Sequence, residues 1–135
     1  MEIRNAGAVD RDAVIGTWET CGLTRPWNDP VLDFERALAG PTSTVLVGEE
    51  NGRLIATAMV GSDGHRGWVY YVAVAPDAQG RGHGAALMRV AEDWLRARGV
   101  PKVQLMVRDM NARVVGFYEA LGYEDVPVRV LARRL

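Results

Sequence analysis

Trp68-Val69-Tyr70-Tyr71-Val72-Ala73-Val74, followed after four residues by Gln79-Gly80-Arg81-Gly82-His83-Gly84, is the stretch whose reading decides the fold. Seven residues of near-continuous apolarity predict a strand buried on both faces, and so a central one. The segment after the glycines is amphipathic with a helical period: Leu87, Met88, Ala91, Trp94 and Leu95 form one stripe, and Arg89, Glu92, Asp93 and Arg96 lie opposite. Between strand and helix, glycines at three alternate positions leave backbone N–H groups uncovered where a helix dipole begins. A chain cradles a pyrophosphate in this way, so a diphosphate-bearing ligand is the first expectation.

Working outward, a short strand is expected near Glu2–Arg4, then a helix over about Asp10–Thr20, with Val14, Ile15 and Trp18 on one face and Gly22 to end it. Thr24-Arg25-Pro26-Trp27-Asn28-Asp29-Pro30 reads as a loop, and Asp29-Pro30 opens a second helix to about Leu38, closed by Gly40-Pro41. Thr44–Gly48 and Leu54–Val60 flank Glu50-Asn51-Gly52, where Asn-Gly signals a hairpin. A turn at Ser62–Gly67 leads into the apolar strand. Gly99 and Pro101 stop the long helix, and Val103, Leu105 and Val107 alternate with Lys102, Gln104 and Met106, which predicts a strand parallel to the central one. A helix over about Asn111–Ala120 and a final strand near Val126–Leu131 complete the order β-α-α-β-β-β-α-β-α-β. The fold class is α/β (α+β), a mixed sheet with helices on both faces, in a single domain spanning residues 1–135.

Composition narrows the partners. Sixteen basic against 17 acidic side chains, with no run of like charge, give no footprint for a nucleic acid. Met1-Glu2-Ile3-Arg4 has no apolar signal core, and no segment approaches the length of a membrane span, so no membrane partner and a cytoplasmic location are expected. Cys21 is the only cysteine, which excludes an internal disulfide and a cysteine-based metal site; it reads as a small apolar residue packed at a helix end, and no metal is expected.

Gln-x-x-Gly-x-Gly, formed by Gln79 to Gly84 after a strand ending Val74-Ala75-Pro76, resembles motif A of the GNAT acyltransferase superfamily. A dinucleotide fingerprint is the competitor: Gly-x-Gly-x-x-Gly with an acidic residue about 20 positions on, and Asp109 stands near that distance. The spacing here is Gly-x-Gly-x-Gly, and the preceding strands read as antiparallel with no room for a second mononucleotide half. A ligand-free turn needs one or two glycines rather than three in this phase. Asn111 followed by Phe117-Tyr118-Glu119-Ala120-Leu121-Gly122-Tyr123 is similar to the second GNAT signature, and the resemblance runs from about Ile3 to Arg134. Within it, Trp27-Asn28-Asp29-Pro30, Asp63-Gly64-His65-Arg66-Gly67 and Ala132-Arg133-Arg134-Leu135 look like the bacterial YpeA-like acetyltransferases.

The resemblance implies transfer of an acetyl group from acetyl-CoA, as cosubstrate, to a primary amine by direct attack through a tetrahedral intermediate. The acceptor would be a small amine, an amino-acid-like molecule, a peptide amino terminus or a lysine. By the same resemblance, Val72, Ala73 and Val74 turn backbone groups toward the pantetheine arm and the thioester at a bulge in the central strand. Gln79, Gly80, Arg81, Gly82, His83, Gly84 and Ala85 form the pyrophosphate loop, with Arg81 and His83 either adding charge or standing as solvated loop residues. Asn111 caps its helix and also serves the cofactor. Tyr118 is the general acid: a phenol of pKa near 10 can protonate a thiolate near 8.5 without being ionised at neutral pH, although it can also be read as an aromatic packed on a helix face.

The general base has no obvious owner. Positions where several GNAT enzymes carry a glutamate correspond here to Trp68 and Met106, and neither takes a proton. Deprotonating a lysine-like ammonium at pH 7 costs about 4.6 kcal/mol, and an α-amine about 1 kcal/mol, so water relayed by Asp29, Glu49, Asp63 or His65 is one route. The missing glutamate also keeps open a regulatory acetyl-CoA-binding module without turnover. Arg25, Trp27, Asn28 and Asp29 are expected to line the acceptor side, facing Asp63, His65 and Arg66: an aromatic wall with a carboxylate suits a cationic amine, and the arginines suit a carboxylate on the same molecule. An edge strand of the sheet leaves monomer and homodimer both open.

Overall fold

A computed structural model describes all 135 residues, Met1–Leu135. The chain divides into two compact units, Met1–Leu105 and Met106–Leu135. The first holds a five-stranded sheet in the order β1-β2-β3-β4-β5: β1 Glu2–Asn5, β2 Ser43–Glu50, β3 Arg53–Ser62, β4 Gly67–Val74 and β5 Val103–Gln104. The first four strands pair antiparallel, and β5 runs parallel to β4. Between β2 and β3, Asn51 and Gly52 take φ of 53° and 75°, the paired left-handed values of a two-residue hairpin turn.

Three helices pack on this sheet. Helix α1 (Arg11–Thr20) follows a short 3₁₀ turn, and α2 (Pro30–Ala39) begins with proline at N1 behind Asp29, whose carboxylate accepts from the Val31 and Leu32 N–H groups at 3.0 and 3.3 Å. Val14, Ile15 and Trp18 from α1 and Phe34 and Ala37 from α2 bury against Val45, Val47 and Ala73. Those three strand positions share one face because side chains alternate along a strand. Trp18 and Phe34 are shut off from solvent, and truncating either to alanine is expected to cost about 3–5 kcal/mol.

Helix α3 (His83–Arg96) crosses the start of β4 closely. A Cβ on Gly67 would lie 2.6 Å from the Leu95 side chain, so any larger residue there would force Leu95 to shift. Leu87, Met88, Ala91 and Leu95 form its buried stripe. Trp94, expected within that stripe, is half-buried at its margin under the Arg98 guanidinium, 3.5 Å from the ring centroid.

Three sequence expectations are corrected. β4 is not the middle strand. That position belongs to β3, with Ile55, Ala56, Thr57 and Ala58 buried, while Tyr70 of β4 is 42 % exposed and the pairing of β4 with β5 ends after two residues. The strand expected over 103–107 is accordingly Val103–Gln104 alone. No strand forms over Val126–Leu131: Val126, Val128 and Val130 are exposed. Period-two apolarity gives a strand only where a partner edge receives it, and Pro127 removes an N–H from the middle of that segment. In the second unit, α4 (Ala112–Ala120) is capped by Asn111, whose Oδ1 accepts from the Val114 N–H at 3.4 Å. No helix of the chain is long and apolar enough to cross a membrane.

Candidate active site

The register of β3 and β4 breaks where the site begins. Thr57 is opposite Ala73 and Met59 opposite Tyr70, so Tyr71 and Val72 together face the single residue Ala58. This two-against-one count is a β-bulge, and Tyr71 carries it with φ +52°, a conformation costing an L-residue about 1–2 kcal/mol. On the other side, pairing with β5 covers only Gly67 and Trp68. From Val69 to Val74 the strand therefore has no ladder partner on that edge. The carbonyl of Val74 is already engaged, accepting from Gln79 Nε2 at 3.0 Å and Cys21 Sγ at 3.3 Å. Gln79 thus ties the loop back to the strand. Cys21 packs at the end of α1, where burial pushes its thiol up, away from reactivity.

The glycine loop has the form its spacing predicts. Gly80 and Gly82 take φ of 79° and 81°, and a Cβ on either would meet nothing within 4 Å, so an open space stands on that side of the backbone. Gly82 is the N-cap of α3, and the first ladder bond runs from the Ala86 N–H to the Gly82 carbonyl at 3.1 Å. The N–H groups of His83, Gly84 and Ala85 precede that bond and have no intrahelical acceptor. No acidic residue stands in the first turn of α3. Free N–H groups, a helix N-terminus and an uncovered backbone fit a pyrophosphate.

Two side chains of the loop, Arg81 and His83, have a partner that sequence reading missed. Arg81 donates to Glu50 Oε1 at 3.0 Å, and this bond holds the Glu50 carboxyl below its ordinary range. His83 keeps only 12 % of its side chain exposed; its Nε2 is buried without a hydrogen-bond partner, 3.7 Å from Glu50 Oε2. Glu50 closes β2 just before the Asn51-Gly52 turn, and nothing in the local sequence links it to a loop about thirty residues on.

The second unit buries Tyr118 more deeply than Phe117. Tyr118 is 9 % exposed and Phe117 is 37 % exposed. The Tyr118 ring meets Phe117 and Tyr123 edge-on, with centroids 4.9 and 5.7 Å away. Burial pushes its hydroxyl up to about 12, so it stays protonated across the neutral range.

The residues expected on the acceptor side are largely occupied by their own loops. Arg25 donates to the Gly22 and Thr24 carbonyls at 2.7 and 2.9 Å, Asn28 closes a turn onto the Arg25 carbonyl at 3.1 Å, and Asp29 caps α2. Trp27 is 53 % exposed. Asp63 accepts from the N–H groups of Arg66 and His65, both at 2.8 Å, and from Trp68 Nε1 at 3.1 Å; these bonds hold its carboxyl down at about 2. Arg66 donates to the His65 carbonyl at 3.1 Å. Glu49 is paired with Arg4. Asp63 and Glu49 are therefore engaged carboxylates rather than idle bases. Sequence reading also passed over Asp33 on α2, whose Oδ2 receives the Tyr71 hydroxyl at 2.7 Å.

The sequence pattern of the acetyltransferase (GNAT) family matches residues 12–123. A curated acetyltransferase, ECA0875 from Pectobacterium atrosepticum, is 50% identical over 135 residues, covering 100% of this chain and 96% of that protein. Two solved structures share the fold at low identity. The enzyme AAC(6')-Iy in complex with the bisubstrate analogue CoA-S-monomethyl-acetylneamine superposes with a TM-score of 0.86 at 16% identity, over 99% of this chain and 97% of that one. A predicted acetyltransferase from Clostridium acetobutylicum, solved with acetyl-CoA, gives 0.79 at 18% identity, over 98% and 95%. The chain belongs to the acetyltransferase (GNAT) family and is an enzyme that takes its acetyl group from acetyl-CoA. No group of three or more histidine, cysteine, aspartate or glutamate side chains is arranged to hold a metal ion.

Proposed function

We propose that the acceptor is a primary amine and that residues 1–135 act as one N-acetyltransferase domain. The observation that carries this reading is the bulge at Tyr71–Val72, on an unpaired strand edge, followed by a glycine loop with free N–H groups. The family match across residues 12–123 supports it, since it spans segments of both units. Acetyl-CoA supplies an activated acetyl thioester. Gly80 to Ala85 hold its pyrophosphate through backbone N–H groups, and Arg81 and His83 act there within reach of Glu50, which tempers the Arg81 charge. Those backbone N–H and C=O groups of Val72, Ala73 and Val74 that point to the free edge hold the pantetheine arm and polarise the thioester carbonyl, and being fixed in a strand they need no reorganisation at that moment.

Tyr118 protonates or hydrogen-bonds the departing sulfur. At about 12 its hydroxyl is a firm donor and a weak acid. Asn111 serves by fixing the start of α4. The acceptor's proton goes to solvent, since Asp63 and Glu49 are engaged elsewhere.

The test is acetyl-CoA consumption, read as free thiol, with a panel of small amines, amino acids, a peptide amino terminus and a lysine peptide, beside calorimetry with acetyl-CoA. Thiol release stoichiometric with one acetylated amine is the expected result. Binding without release across the panel would instead identify a regulatory acetyl-CoA module. Failure to bind acetyl-CoA would overturn the loop assignment itself.

A further inference from the structure

We propose that Asp33, oriented by Tyr71, anchors the acceptor through its ammonium group; this rests on the amine-acetylation reading and adds the residues that hold the acceptor. The pair is rigidly built. Tyr71 stacks on Trp18, centroids 3.9 Å apart and planes 12° from parallel, and Trp18, closed to solvent, meets the ring of Phe34 edge-on at 6.5 Å. Phe34 is buried and directly follows Asp33 on α2, so the packing that fixes Phe34 also fixes the backbone that carries Asp33. The Tyr71 hydroxyl then donates to Asp33 Oδ2 at 2.7 Å. One oxygen of a half-buried carboxylate is aimed, and the other makes no hydrogen bond to the protein.

The charge pattern separates Asp33 from the other carboxylates of the sheet and helices that are shielded from solvent, Asp10, Glu49, Glu50 and Glu92. Asp10, Glu49, Glu50, Asp77, Glu92 and Asp93 each face an arginine within 4 Å. Asp33 faces none, and its only side-chain partner is a neutral phenol. A tie between α2 and β4 needs no charge, and a partly buried carboxylate without a cation is costly. A cationic ligand removes that cost. The location is also specific: Tyr71 is the left-handed residue of the bulge and is bonded to Val72, the first residue of the backbone proposed to hold the thioester. The residue that aims the anchor and the thioester cradle are therefore one piece of chain. An ordinary carboxylic acid lies about six pKa units below an ammonium, so the role is attraction and alignment rather than proton abstraction. Asp33 touches the acceptor; Tyr71 is a positioning residue.

The test uses n-butylammonium as probe and n-butanol as its neutral counterpart, titrated into CoA-saturated, isotope-labelled full-length protein and followed by NMR. Butylammonium should shift the Asp33 carboxyl and Tyr71 signals saturably, and butanol should not. Asp33→Asn, which keeps an acceptor for the tyrosine hydroxyl, should weaken binding about tenfold or more, and Tyr71→Phe about two- to fivefold. With the best amine from the turnover panel, Asp33→Asn should raise the acceptor KM about tenfold and leave that for acetyl-CoA unchanged. Wild-type butylammonium affinity in folded Asp33→Asn, or no shift at Asp33 and Tyr71 in the wild type, overturns the proposal. Shifts at Gly80 to Ala85 on adding CoA report the cofactor loop separately. Their absence alongside an intact butylammonium response counts against the acetyl-transfer reading and not against the anchor.

Discussion

The glycine loop after β4 and the face of α2 opposite Tyr71 are both fixed by packing, but they offer a ligand different material. The loop presents main-chain N–H groups around Gly80 and Gly82, whose φ values of 79° and 81° leave the backbone bare. The α2 face presents a carboxylate aimed by a phenol, two side chains 38 positions apart. A backbone site fails when any Cβ intrudes or the conformation changes. A side-chain site fails when one charge is removed at constant shape. That difference orders the experiments.

The largest effect is expected at Gly82. A Cβ there meets no protein atom within 4 Å, yet an L-residue at φ +81° is strained, and relaxing the strain swings the N–H groups away from the ligand. Acetyl-CoA affinity should fall about 100-fold or more, about 2.7 kcal/mol, in a protein that remains folded by circular dichroism. Wild-type affinity by calorimetry would mean that the main chain of this loop is not the anion site. Gly82→Ala should fall between the two.

Tyr118→Phe comes next and acts on rate rather than binding. With its hydroxyl pushed up to about 12 by burial, Tyr118 is a donor at every neutral pH, and its removal should lower kcat by about 10–10³-fold with acetyl-CoA affinity nearly constant. Unchanged turnover where chemistry limits the rate would make Tyr118 a packing residue, a role its edge-on contacts with Phe117 and Tyr123 already support.

Asp10→Asn tests a carboxylate that belongs to neither region. Asp10 is nearly buried and takes two hydrogen bonds from Arg4, at 2.8 and 2.9 Å, and one from the Gly7 N–H at 2.7 Å. The Arg4 bonds, helped by Gly7 and opposed by burial, lower its pKa to about 2. Because the folded value lies below the unfolded one, this contribution is whole above about pH 4 and is lost as pH falls through about 2. The variant should lose about 1–3 kcal/mol at neutral pH and show a shallower loss of stability between pH 4 and 2 in urea titrations. Acetyl-CoA affinity should not move.

The same contrast explains what the sequence disclosed. The form of the loop was legible because left-handed backbone demands glycine at a phase, here between a strand and an amphipathic helix. Elements were legible for the same local reason: Asn51-Gly52, Asp29-Pro30 and the stripe Leu87, Met88, Ala91, Leu95 each act within a few residues. Asp33–Tyr71 and Glu50–Arg81 were not, because each joins side chains brought together only by the sheet. The bulge was anticipated at Val72–Val74 by family resemblance, but its strained residue, Tyr71, looks like an ordinary strand tyrosine. Val126–Leu131 misled in the opposite sense, since its alternation is local and its missing partner is not.

The smallest effect separates two aspartates one helical turn apart. Asp29 and Asp33 both lie at the start of α2, and the sequence pointed to Asp29 as the acceptor's carboxylate. Its oxygen instead closes the helix end, accepting from the Val31 and Leu32 N–H groups. An N-cap needs an acceptor and not a charge, so Asp29→Asn should change stability by only a few tenths of a kcal/mol, and Asp29→Ala should cost about 1 kcal/mol. For a domain of this size that is a fall of about 3–6 °C in Tm by calorimetry. If capping is its whole role, the acceptor KM in Asp29→Asn stays at the wild-type value. A several-fold rise there, with stability and acetyl-CoA affinity intact, would return Asp29 to the acceptor side and divide the work now assigned to Asp33 alone.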